Sequence, residues 1–95
     1  MHARLAETIA QLQAAKSSIR CEELAASLRD LGFVVRAGEA GHKVVTHPGL
    51  KGFYSAAYNC GHGKNPEIKP AYIGKILRIL RQYESELDEF LKEQK

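Results

Sequence analysis

Apolar residues recur at helical spacing near the start of the chain: Leu5, Ile9 and Leu12, with alanines between them, predict an amphipathic helix over residues 3 to 14. Leu24, Leu28 and Leu31 repeat the pattern over residues 21 to 31. Glu22 and Glu23 fall in the first turn of this second helix, where the helix dipole favours negative charge, and Gly32 follows as a left-handed terminator. The period then shortens. "FVVR" (Phe33 to Arg36) and "HKVVT" (His42 to Thr46) are β-branched runs joined by "AGEAG", whose glycines suit a hairpin turn with positive φ. "FYSAAY" (Phe53 to Tyr58) follows the turn signal "HPGLKG" and predicts a third strand. Asn59 to Lys69 is polar and carries Gly61, Gly63 and Pro66, which predicts a surface loop. Pro70 sits where the first turn of a helix tolerates it. Beyond it, Ile73, Ile76, Leu77 and Leu80 form one stripe that Leu87, Phe90 and Leu91 extend across a polar interval near residues 83 to 86.

The order α-α-β-β-β-α places the chain in the α+β class, as a three-stranded antiparallel meander with helices gathered on one face. Ninety-five residues allow one domain with one small core. No stretch approaches the ~20 apolar residues that span a bilayer, so a soluble, intracellular protein is expected. Cys21 and Cys60 lie far apart and match no paired metal or redox spacing. They read as reduced thiols of a cytosolic protein, with one long-range disulfide as the other reading.

Charge is unevenly spread. Residues 1 to 35 balance four basic against four acidic residues, residues 36 to 81 hold eight Lys or Arg against Glu39 and Glu67, and residues 82 to 95 hold two Lys against five acidic residues. A basic middle before an acidic tail favours a polyanion such as nucleic acid as partner. Charge alone is explained more simply by a solvated surface.

Within "GHKVVTHP" (Gly41 to Pro48) two histidines stand five apart. On one strand they are separated by roughly 16 Å and turned to opposite faces, which disfavours a joint acid–base pair and shared metal ligation. His42 follows the glycine-rich turn, where a side chain at a strand's start is accessible and an imidazole can take or give a proton, although an isolated histidine reads more simply as structural. His47, before a proline that holds it extended, suits a supporting role in ordering the turn. His62, in "NCGHGKN", reads as a solvated loop residue, and Cys60 with His62 falls far below a zinc signature. His2 carries no function.

The run from "LRDLGF" through "GHKVVTHP" to "KPAYIGKILRIL" resembles the HicA family of toxins, ribonucleases of bacterial toxin-antitoxin systems, over roughly residues 19 to 83. By position His42 matches that family's catalytic histidine and His47-Pro48 its strand-ending pair. Ala40 and Gly41 stand where the family often has Gly and Ser. The resemblance divides the chain into an N-terminal helical extension (1–18), a core (19–83) and an acidic C-terminal helical tail (84–95). It implies a fold like a double-stranded-RNA-binding domain, cytoplasmic cleavage of single-stranded RNA or mRNA, and a cognate HicB-like antitoxin as partner.

The mechanism expected from these residues needs no metal or cofactor. The 2′-hydroxyl attacks the adjacent phosphorus with His42 in proton transfer, leaving a 2′,3′-cyclic phosphate and sparing DNA. Lys43, Arg36, Lys75 and Arg78 are the candidate phosphate contacts, and Phe53, Tyr54 and Tyr58 the candidate base-stacking aromatics. A non-catalytic RNA-binding or protein-interaction module using the same basic surface is the alternative. The acidic tail, with Leu87, Phe90 and Leu91 on one face, is a candidate internal shield, docking surface or self-association helix.

Overall fold

The computed structural model describes residues 1–15 and 19–94; residues 16–18, the end of the expected extension, and Lys95 lie outside the described residues. Among the described residues the elements are α1 (Ala3–Ala15), α2 (Cys21–Asp30), β1 (Val34–Ala37), β2 (His42–Thr46), β3 (Ala56–Asn59), α3 (Pro70–Gln82) and α4 (Glu84–Glu93). None of these helices is long and apolar enough to cross a membrane. The fold is α+β: a three-stranded antiparallel sheet in the order β1-β2-β3 with four helices.

Alternation in the strands decides which side is covered. Val35 on β1, Val45 on β2 and Tyr58 on β3 are buried and share a core with Leu24 and Leu28 of α2, Ile73, Ile76 and Leu80 of α3, and Leu5 and Leu12 of α1. The opposite face carries Val34 and Arg36, His42 and Val44, and Ala57 and Asn59, in the register Arg36↔Val44↔Ala57 and His42↔Asn59. This face is open, with Val34 and Val44 still about two-fifths exposed (41% and 39%). Both outer strands are tied to helices through their carbonyls: the Arg29 guanidinium donates to Val35 O at 3.1 Å and Lys75 Nζ to Ala57 O at 2.8 Å.

The polar segment after β3 is held down rather than loose. The Cys21 N–H donates to Pro66 O, the Ile68 N–H donates to Ile19 O, and Arg20 bridges Glu67. Residues 19–21 offer no Ser, Thr, Asp or Asn to cap α2, and the cap arrives from across the chain: Asn65 Oδ1 accepts the Glu22 N–H at 3.0 Å. A Cys21–Cys60 disulfide, Cα atoms 5.5 Å apart, completes the seam. The expectation of reduced thiols is thereby corrected. Thirty-nine residues of sequence separation concealed two positions that the sheet brings together at the start of α2 and the end of β3.

Two boundaries differ most from the periodicity. The third strand begins at Ala56, not Phe53, because pairing runs out at Val45↔Ala56. Further upstream the partner is His47-Pro48, and proline has no N–H to give a ladder. Phe53 instead turns its ring into an edge-on cluster with Phe33 and Tyr83. The last stripe is two helices, broken at Tyr83 (φ −104°, ψ 21°), whose hydroxyl donates to Gly52 O at 3.0 Å. Beyond the break, Leu87 and Leu91 of α4 are buried in this chain's own core (0% and 3% exposed). The apolar stripe expected to serve self-association is thus already covered.

Phe90 of α4 fits a slot made by two glycines. A Cβ at Gly49 would lie 2.5 Å from the Phe90 ring, and one at Gly32, where φ is +92°, would lie 2.3 Å from it. Gly49→Ala is therefore expected to destabilise the protein by about 1–3 kcal/mol in urea unfolding, and to cost much less in a Phe90→Ala background. Equal costs in both backgrounds would show that Phe90 does not occupy the slot. Replacing Cys21 and Cys60 together by serine should lower stability by roughly 3–4 kcal/mol, the loop-closure value for a cross-link of this span. An unchanged urea midpoint would count against the cross-link.

Candidate functional site

His42 is the first residue of β2 and is exposed on the open face. Its position is set from both sides. The preceding turn places Ala40 at φ 51° and Gly41 at φ 81°, and the His42 N–H donates to Glu39 O. Across the sheet lies Asn59, its register partner. The Asn59 Oδ1 accepts the Gly61 N–H at 2.7 Å, which leaves Nδ2 to donate to His42 Nδ1 at 3.3 Å. Because Gly61 can only donate, the amide has one satisfied orientation. The neutral His42 ring consequently carries its hydrogen on Nε2, which has no partner among the described residues.

Gly41, the residue before His42, leaves no room for a side chain. A Cβ there would stand 2.5 Å from Gly61 O and 3.1 Å from Asn59 Oδ1, and Gly41 O accepts the Cys60 N–H at 2.9 Å. Positive φ and a backbone-tight neighbour together exclude serine.

His47 meets the opposite fate. It is 6% exposed, just past β2 on the covered side. Leu31 O can only accept, so Nε2–H donates to it at 2.9 Å, while Nδ1 accepts the Gly49 N–H at 3.0 Å. The ring stands edge-on between Phe33 and Phe90, with centroids 4.7 and 4.6 Å away. Burial lowers its pKa from the ordinary imidazole value, against a smaller opposing effect of the Leu31 hydrogen bond.

The four candidate cations separate. Arg36 is exposed on the open face, across β1 from Val44 and diagonal to His42. Lys43, expected beside the histidine, is carried by the pleat to the side of Val45 and Tyr58. Lys75 and Arg78 lie at the free edge of β3, where they line a groove of about 390 Å³ with Phe53, Tyr54 and Tyr83. Tyr54 is 94% exposed there. Tyr58 is core: its buried hydroxyl has no hydrogen-bond partner among the described residues, and burial pushes its pKa up to about 12. His62 is exposed in a hollow of about 360 Å³ that also touches Asn59 and Lys69.

Asn59 is the site residue that sequence reasoning missed. It falls in the expected loop, and only the strand register reveals that it faces His42. Among the described residues no three His, Cys, Asp or Glu side chains gather as a metal-ligating group. Comparison with protein-family models, curated proteins and solved structures returns no match to this chain.

The His47 environment generates a pH dependence with a definite sign. Its folded pKa lies below its unfolded value of about 6.5, so the stability it contributes is complete above that pH. It is lost as pH falls through about 6.5 toward the folded pKa, because the unfolded chain takes the proton first. The urea midpoint should fall between pH 7.5 and 5.5, with a shallower fall in His47→Gln. An identical slope in the two proteins would contradict the buried neutral ring.

Proposed function

We propose that this protein is a toxin-type endoribonuclease of the HicA kind, with a fold like a double-stranded-RNA-binding domain, cleaving single-stranded RNA or mRNA in the cytoplasm without a metal. The observation that carries the reading is His42: an exposed imidazole at the head of β2, fixed through one ring nitrogen and clear at the other, on a sheet face that also presents Arg36. A ribose-phosphate strand laid on this face would reach the exposed ring. The 2′-hydroxyl is the nucleophile, which accounts for the choice of RNA over DNA.

Phosphates flanking the scissile one fall to Arg36 on the open face and to Lys75 and Arg78 at the β3 edge. Tyr54 supplies a free aromatic face for stacking beside those two cations. A cognate HicB-like antitoxin would cover this basic surface by charge complementarity. In the cytoplasm the Cys21–Cys60 pair would meet reducing conditions, and the seam's hydrogen bonds would then hold the loop without the cross-link.

Purified protein incubated with a defined single-stranded RNA and its DNA counterpart, with and without chelator, separates the readings. RNA should be cut in both conditions and DNA in neither, and His42→Ala should lose about 100-fold or more in rate while unfolding at the same urea concentration. Cleavage that survives in His42→Ala overturns the assignment. Binding with no cleavage in the parent protein favours the alternative, a non-catalytic RNA-binding module on the same surface.

A further inference from the structure

We infer that Asn59 is a positioning residue that locks the His42 ring with Nε2–H facing outward, so that His42 meets the reacting phosphate as a hydrogen-bond donor and not as the base. The inference rests on the nuclease reading above and replaces the proton transfer expected of His42 by hydrogen-bond donation.

The geometry works through one amide. The Gly61 N–H, itself part of the backbone seam that Cys60 joins to Gly41, claims Asn59 Oδ1 at 2.7 Å. Asn59 therefore offers only N–H to the ring, and His42 Nδ1 is occupied by a donor. A proton cannot settle on Nδ1 without opposing that N–H, and Nε2 already holds the hydrogen of the neutral ring. The ring has no lone pair facing solvent with which to take the 2′-proton.

What remains is donation. In the cleavage step a bond forms between the 2′-oxygen and phosphorus as the bond from phosphorus to the 5′-oxygen breaks. The 2′-proton passes to water and the 5′-oxygen takes a proton from water. His42 Nε2–H stays on the ring and donates to a non-bridging oxygen, where negative charge accumulates. A neutral imidazole held as a donor serves developing charge in this way when a neighbour fixes its tautomer.

Gly41 belongs to the same device. Its missing side chain lets the Asn59–Gly61 backbone close on the turn before His42, so the departure from Gly-Ser ahead of the histidine is what makes room for the amide lock.

The test uses the full chain, labelled with nitrogen-15, in long-range proton–nitrogen correlation spectra of the His42 ring recorded where the ring is neutral. The parent should show one tautomer, protonated at Nε2. Asn59→Asp, whose carboxylate can satisfy the Gly61 N–H and also accept from Nδ1–H, should invert it, and Asn59→Ala should give a mixture. Both variants should lose roughly 10-fold to 100-fold in kcat with KM changed less than about twofold. An unchanged tautomer in Asn59→Asp, or a kcat raised by that substitution, overturns the inference. A parent protein that cuts no RNA overturns the nuclease reading instead, and the ring spectra still decide whether Asn59 holds the tautomer.

Discussion

The pleat of β2 is the constraint on which everything else depends. Successive side chains on a strand point to opposite faces, so two histidines five residues apart part company: His42 stands on the open face and His47 on the covered one. A slip of one residue in register would exchange them and drive an imidazole built for solvent into the core. Environment then does the rest. His47, with both nitrogens occupied and two aromatic edges against its ring, joins the end of α2, the turn after β2 and helix α4. His42, with one nitrogen occupied, leaves the other without a partner among the described residues.

At the head of β2 a second set of contacts holds the open face in place. Gly41 accepts the Cys60 N–H, Asn59 spans from Gly61 to His42, and the disulfide ties the same segment to the start of α2. Rigidity here is obtained at a local cost. Ala40 occupies a left-handed conformation, which disfavours an L-residue by about 1–2 kcal/mol. Such strain persists where surrounding contacts over-determine the backbone, and the Gly41–Cys60 bond is one of them.

Local periodicity made much of the fold legible. The stripes Leu5/Ile9/Leu12 and Leu24/Leu28/Leu31, the alternation around Val45 and the Pro70 start require knowledge only of neighbours three or four residues away. What stayed hidden was non-local. Cys21 and Cys60, the Asn65 cap on α2 and the Asn59 amide each join positions 17 to 43 residues apart. The break at Tyr83 carries no Gly or Pro, only a polar interval, because a hydroxyl bond to Gly52 and the Phe90 slot hold the two helices apart from one continuous course. Of the candidate cations, spacing alone did not separate Arg36, on the histidine's face, from Lys43, adjacent in sequence yet turned away.

A small domain thus presents an uncovered sheet face on which one imidazole is pre-set, flanked by a guanidinium and, past the β3 edge, by a cation-lined aromatic groove. The most direct measurement of whether this face is a nucleic-acid surface is a chemical-shift titration with a single-stranded oligoribonucleotide methylated at its 2′-oxygens, which binds but lacks the nucleophile. Resonances of Arg36, His42, Val44 and Asn59 should move together, with affinity falling steeply as salt rises. Shifts confined to α4, or none at RNA concentrations that saturate binding, would contradict a catalytic role for the open face.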